Sequence, residues 1–161
     1  MQVYRVAARP FADDLSGEGA RLYGGRWNPQ GLPVLYTAES LPLAILETLV
    51  NIPPDFLGSP LFCRVTLSIP DDTRFAIVSP DELPADWQAY PPPVELTEIG
   101  KRWLTQKETV GLKVPSTVAG GEGWNLLFNP RHPEFDQIKL ETAAPFVFDA
   151  RLLRRQQESV I

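Results

Sequence analysis

The chain has a single cysteine, Cys63, and a single histidine, His132. No intrachain disulfide can form, and a Cys/His zinc site has too few ligands. Cys63 sits in the alternating run LFCRVTLSI and reads as a small buried hydrophobe. There is no Lys/Arg-rich run, and the net charge is -5 with a pI near 4.9. That argues against a nucleic-acid binder relying on general phosphate attraction, though a local basic pocket remains open. No apolar run approaches membrane-spanning length. The start, MQVYRVAARP, is strand-like and lacks the charged-then-apolar pattern of a signal peptide. The expectation is a cytoplasmic protein with no direct nucleic-acid or membrane contact. Internal repeats and low-complexity segments are absent as well.

What is present fits one domain over residues 1–161, with 43% hydrophobic and 22% charged residues. Residues 2–7 alternate as a strand, and 9–25 read as a loop rich in Gly, Asp and Pro. Residues 33–37 read as a second strand. Ser40 can N-cap a helix through Val50, with Pro42 in its first turn, where a missing N–H is tolerated. On a helical wheel Leu43, Leu46 and Val50 share a face, and Glu47 falls at its border beside Ala44 and Asn51.

A turn is expected over 53–60, a strand over 61–69 and another over 73–78. Residues 80–93 are proline-rich and read as a long surface loop within the domain. Thr97 opens a short helix, EIGKRWL. Strands follow over 111–114, 125–128 and 146–149, with the glycines of 120–123 in a loop. The charged tail, RLLRRQQESVI, is expected to fray at its end. Many short strands with few helices give an α+β class.

The segment YGGRWNPQGLPVLYTAESLPLAILE, from Tyr23 to Glu47, concentrates the chemistry. Arg26 lies between a Gly24-Gly25 pair and Trp27-Asn28. Glycines let backbone approach a ligand closely, and an arginine there can fork onto phosphate oxygens. Tyr36 lies in a strand and Glu47 interrupts an apolar helix, where a carboxylate needs a partner or a task. Taken alone, each has a plain structural reading: Arg26 a surface ion pair, Tyr36 a core tyrosine, Glu47 a boundary residue, Ser116 a turn serine after Pro115. Arg5, amid apolar strand neighbours, needs an anionic partner. Tyr4 and Arg5 point to opposite faces, so at most one is expected to face a cleft. Asn129 and His132 in NPRHP read as turn structure, with the Asn side chain bonding nearby backbone.

Five motifs in order, GGRWN, LYTAES, LAILE, VPS and NPRHP, resemble the RES-domain family, named for an Arg, a Glu and a Ser. The likeness runs from VYRVA to FVFDARLL, nearly the whole chain. It implies a toxin of a bacterial toxin–antitoxin pair that destroys NAD. The implied fold is ADP-ribosyltransferase-like: a split, mostly antiparallel sheet core with a few short helices. It makes Glu47 the catalytic carboxylate, Arg26 the pyrophosphate anchor and Tyr36 the ring that stacks on nicotinamide. Ser116 would hold the nicotinamide ribose or align Glu47. It also points to Arg5, Trp27, Asn28 and Asn129 as substrate contacts. The implied partner is an Xre-like helix-turn-helix antitoxin that supplies DNA binding, and a homodimer is consistent with the same family. The glycine-rich GGEGWNLLFNP is a departure from the family pattern and leaves the loop near Ser116 open.

Cleaving the nicotinamide–ribose bond develops positive charge on the sugar. A carboxylate stabilises it, and nicotinamide leaves neutral without a strong general acid. An arginine clamps the pyrophosphate and an aromatic ring stacks on the base. The kit needs no metal and no cofactor: NAD is the substrate, with water or inorganic phosphate as acceptor. Transfer of ADP-ribose to a protein uses the same kit, and a non-catalytic NAD- or protein-binding module is the rival from another class.

Overall fold

A computed structural model describes residues 1–53 and 61–152. The turn expected over 53–60 lies, beyond Pro53, outside these residues, as does the tail from 153 onward. Seven strands form one sheet: β1 (Gln2–Ala8), β2 (Leu35–Ala38), β3 (Phe62–Ser68), β4 (Phe75–Ile77), β5 (Gly111–Pro115), β6 (Trp124–Phe128) and β7 (Lys139–Phe146). Their order is β4-β5-β6-β2-β1-β3-β7, antiparallel throughout except for the β4–β5 pair.

The sheet has a weak seam. β1 pairs with β3 along its whole length, yet meets β2 at one register pair, Tyr4 opposite Ala38. Two halves, β4-β5-β6-β2 and β1-β3-β7, therefore part on either side of that pair. This is the split antiparallel core of an α+β fold.

On one face Val3, Leu35, Val65, Leu67, Leu126 and Phe128 form a core. The other face carries the helices. Helix α2 (Leu41–Leu49) packs Leu43 and Ala44 against Ala38, Tyr4 and Val6. Helix α3 (Val94–Gln106) packs Leu96, Trp103 and Leu104 against Leu112, Val114 and Leu127. Two helices on one face, one near each half, leave a trough over the seam.

Local chemistry explains the start of α2. Ser40 caps α2 as expected, its Oγ accepting from the Leu43 N–H at 3.4 Å. The alternation in β3 buries Cys63, Val65 and Leu67 on the first face. Four expectations fail. Residues 9–25 contain a short helix, α1 (Glu18–Tyr23), rather than loop alone. Helix α3 starts at Val94, directly after Pro93, not at Thr97. The last strand is Lys139–Phe146, not 146–149: it is an edge strand, exposed over most of its length, so no apolar alternation marks it. The buried stripe of α2 is Leu43 and Ala44, while Leu46 and Val50 are exposed. Small Ala44 lets the helix sit close on the sheet, turning its next residue on that face, Glu47, toward the trough.

Candidate active site

A cavity of about 210 Å³ occupies the trough at the seam. β1 supplies Tyr4, Arg5 and Val6; β2 supplies Tyr36, Thr37 and Ala38. Helix α2 and its end supply Ala44, Glu47, Thr48 and Asn51, and β6 supplies Asn125. Register places Tyr36 beside Leu127 and Ala38 beside Asn125, so Tyr36 and Asn125 share the helix-bearing face.

Glu47 is the organised group of this cavity. Its Oε1 accepts from Ser116 Oγ at 2.7 Å and from Asn125 Nδ2 at 2.6 Å. Among the described residues no donor reaches Oε2. The carboxylate is thus held by one oxygen and free at the other, in a cavity it lines. Asn51 Nδ2 donates to the Glu47 carbonyl and closes the helix end beneath it.

Ser116 is fully buried just after β5. Its N–H donates to the Gly123 carbonyl and its own carbonyl accepts from the Gly121 N–H. Its Oγ accepts from the Ala119 N–H while donating to Glu47. The glycine-rich loop makes this turn: Gly120, Gly121 and Gly123 all have φ between 69° and 91°. The Ser116 hydroxyl thus donates its proton to the Glu47 carboxylate.

Tyr36 has a partly exposed ring on the cavity and a buried hydroxyl. The hydroxyl donates to Asn28 Oδ1 at 2.7 Å and accepts from the Trp27 N–H at 3.2 Å. Burial raises its pKa far above the usual phenol range. Gly25 is required here, since a Cβ would lie 2.8 Å from the tyrosine oxygen.

Arg26 flanks the cavity rather than lining it. Its Nη1 donates to the carbonyls of Trp87 at 2.9 Å and Ala89 at 3.2 Å, in the proline-rich loop. Among the described residues it forms no ion pair, and its Nε and Nη2 have no protein acceptor. Burial lowers its pKa, and the nearby Glu47 charge opposes that shift. A guanidinium fixed at one end with an open edge is suited to a bidentate anion.

Arg5 donates to the Asp14 and Phe11 carbonyls at 2.8 and 3.1 Å. Burial lowers its pKa, partly offset by Asp14. Tyr4 and Arg5 are both among the residues around the cavity, while the Arg5 guanidinium is engaged by the loop carbonyls.

Three expected substrate contacts turn inward. Trp27 is buried in the α3 core. Asn28, 1% exposed, spends its Nδ2 on the Ala20, Pro29 and Leu32 carbonyls. Asn129, equally buried, donates to the Leu104 carbonyl and accepts from the Arg131 N–H, the turn role its sequence suggested. His132 caps the next turn through Nδ1, which accepts from the Glu134 N–H. Asn125 was not foreseen from the sequence. The only signal was a polar residue inside the apolar strand WNLLF.

The RES domain family model matches residues 2–149. Among curated relatives, "Toxin Res" of Yersinia enterocolitica is 40% identical over 94% of this chain and 99% of its own. The "Prs ADP-ribosylating toxin" of a Sphingobium strain is 37% identical over 94% and 96%. A 36-residue segment, 22% of this chain and 19% of the other, is 56% identical to "NAD(+) phosphorylase MbcT" of Mycobacterium tuberculosis. A chain in the crystal structure of the M. tuberculosis MbcT-MbcA toxin-antitoxin complex superposes with a TM-score of 0.74. It covers 98% of this chain and 89% of its own at 20% identity, a likeness of fold. Among the described residues no helix is long and apolar enough to cross a membrane.

Proposed function

The chain belongs to the RES domain family, and from that premise we propose that it is a toxin enzyme cleaving the nicotinamide–ribose bond of NAD. The observation that carries this reading is the Glu47 carboxylate, pinned at Oε1 by Ser116 and Asn125 and free at Oε2 in the seam cavity. A fixed anion beside the sugar meets the positive charge that develops as the bond breaks, without reorganising at the moment of reaction. The cavity is small for a whole dinucleotide. It suits the nicotinamide riboside end, with the Tyr36 ring against the base. The pyrophosphate then extends outside it toward the open edge of Arg26. The acceptor is water or inorganic phosphate; the MbcT name supports phosphate.

The Sphingobium relative's name favours a second reading, transfer of ADP-ribose to a protein. The same residues serve it, since only the acceptor differs. The partner we assign is an antitoxin, in line with the complex that shares this fold. An Xre-like one would supply the DNA contact that an acidic chain does not favour.

Incubation with NAD, with and without phosphate and with candidate target protein, followed by mass analysis, separates the outcomes. ADP-ribose marks hydrolysis, ADP-ribose phosphate marks phosphorolysis, and labelled protein marks transfer. Unchanged NAD in every arm overturns the proposal.

A further inference from the structure

The Asn125 side chain is unevenly bonded. Its Nδ2 donates to Glu47 Oε1 at 2.6 Å. Its Oδ1 is buried, and among the described residues no donor reaches it. A buried amide oxygen without a partner is destabilising. Exchanging the two amide atoms would give no relief, because it would set an oxygen against the carboxylate at the same short distance. The strand itself does not ask for an amide here. Its neighbours Leu126, Leu127 and Phe128 are core residues, and β6 is paired on both sides, with Ala38 and Val114 opposite Asn125. What the amide does at this place is hold Glu47.

The hold is specific in direction. Ser116 comes from the end of β5 and Asn125 from β6, and both donate to the same oxygen. With either bond alone the carboxylate could pivot about it. With both, Oε1 is fixed on the sheet side, which leaves Oε2 to the cavity.

Resting on the NAD-cleaving reading, we propose that Asn125 is a positioning residue. It acts through Glu47 by holding the carboxylate in the rotamer that presents Oε2 to the substrate. Its unpaired Oδ1 is tolerated for that purpose. It is distinct from the Arg, Glu and Ser for which the family is named.

The test compares wild type, Asn125→Ala and Asn125→Asp for kcat, for NAD affinity by calorimetry and for melting temperature. Asn125→Ala removes the donor together with the unpaired oxygen. We expect a melting temperature close to wild type, NAD affinity within about threefold and kcat lower by roughly 10- to 100-fold, the scale of a misplaced reacting group. Asn125→Asp keeps the size and places a second acceptor against Oε1. Its kcat should fall at least as far, again with NAD affinity little changed. If Asn125→Ala does not fold, the same-sized Asn125→Asp carries the comparison. Wild-type kcat in the folded variants, or a loss confined to affinity, overturns the proposal. Failure of the wild-type arm to consume NAD would instead sink the functional reading on which it rests.

Discussion

Ser116 Oγ donates to Glu47 Oε1 across 2.7 Å, although the two residues lie 69 positions apart. Glu47 and Ser116 form one hydrogen-bonded unit. Asn125 completes it from the neighbouring strand. Two donors from different strands on one oxygen fix the direction of the carboxylate.

Glu47→Gln should therefore nearly abolish NAD consumption while the protein stays folded. The change removes the charge and keeps the size, and losing one such electrostatic contact costs roughly 100- to 1000-fold in rate. Ser116→Ala should cost less, because Asn125 still holds Oε1. Turnover of the two variants beside their melting curves checks the order. A greater loss in Ser116→Ala would mean that the serine has a role apart from Glu47.

Arg26→Lys should weaken NAD binding. Arg26 has two tasks, gripping the Trp87 and Ala89 carbonyls with Nη1 and offering its other edge to an anion. A lysine ammonium can do one or the other, and cannot fork onto a pyrophosphate. An exposed ion pair would be worth only about 0–1 kcal/mol of stability and nothing in binding. A titration with NAD alongside a melting curve distinguishes these cases. Unchanged affinity removes Arg26 from the site.

Much of this arrangement was legible in the sequence, for identifiable reasons. Ser40 and Pro42 fixed the start of α2 because capping is local. β1 and β3 were legible because each alternates and buries one face. The orientation of α2 was not. A helical wheel ranks faces by apolarity and favoured Leu46 and Val50, which the fold exposes. The sheet seam beneath selects the face with small Ala44, and that choice is made by strands distant in sequence. Asn28 and Trp27 illustrate the reverse. Their place beside Arg26 made them candidates, yet the turn they build uses their polar groups to fasten Tyr36. β7 gave no pattern because an exposed edge strand paired on one side has no core face to record.

Tyr36 predicts a decline of stability in alkali. Its folded pKa lies above the ordinary phenol value of 10.0 because the hydroxyl is buried. Past that pH the unfolded chain releases the proton and the folded chain keeps it, so the unfolded state is favoured as pH rises. The contribution is fully present below pH 10.0 and is lost upward from there. Tyr36→Phe should flatten this decline in denaturant titrations run across alkaline pH. It should also lower stability by about 1–3 kcal/mol at neutral pH, because Asn28 Oδ1 loses its buried donor. An equal alkaline slope in the two proteins would assign the decline elsewhere.

Gly100→Ala should destabilise the fold severely. A Cβ at this position of α3 would lie 1.6 Å from the Trp27 carbonyl oxygen, backbone that cannot swing aside. The helix would have to lift from the Arg26–Trp27 segment. Overpacking of this kind typically costs about 1–3 kcal/mol, and more where backbone must move. Because the shift strikes the residue after Arg26, the fraction that still folds should also bind NAD less tightly. Wild-type melting temperature in Gly100→Ala would show that α3 does not seat closely against Trp27.

Expression of the active chain alone should arrest bacterial growth and lower cellular NAD, whereas Glu47→Gln should do neither. Family and geometry both lead to this outcome. The relatives are toxins by name, and the seam cavity presents one free carboxylate oxygen on which a glycosidic cleavage can depend. A cognate antitoxin should relieve the arrest. If relief works by occlusion, a partner segment fills the cavity and excludes NAD by competition. Deleting that segment should then restore toxicity even where the complex still forms. The measurement is intracellular NAD after induction, for wild type and Glu47→Gln, with and without the partner. Arrest with unchanged NAD and a labelled protein would move the reading to ADP-ribose transfer. Equal toxicity from wild type and Glu47→Gln would remove Glu47 from the mechanism, and with it the catalytic role of the seam cavity.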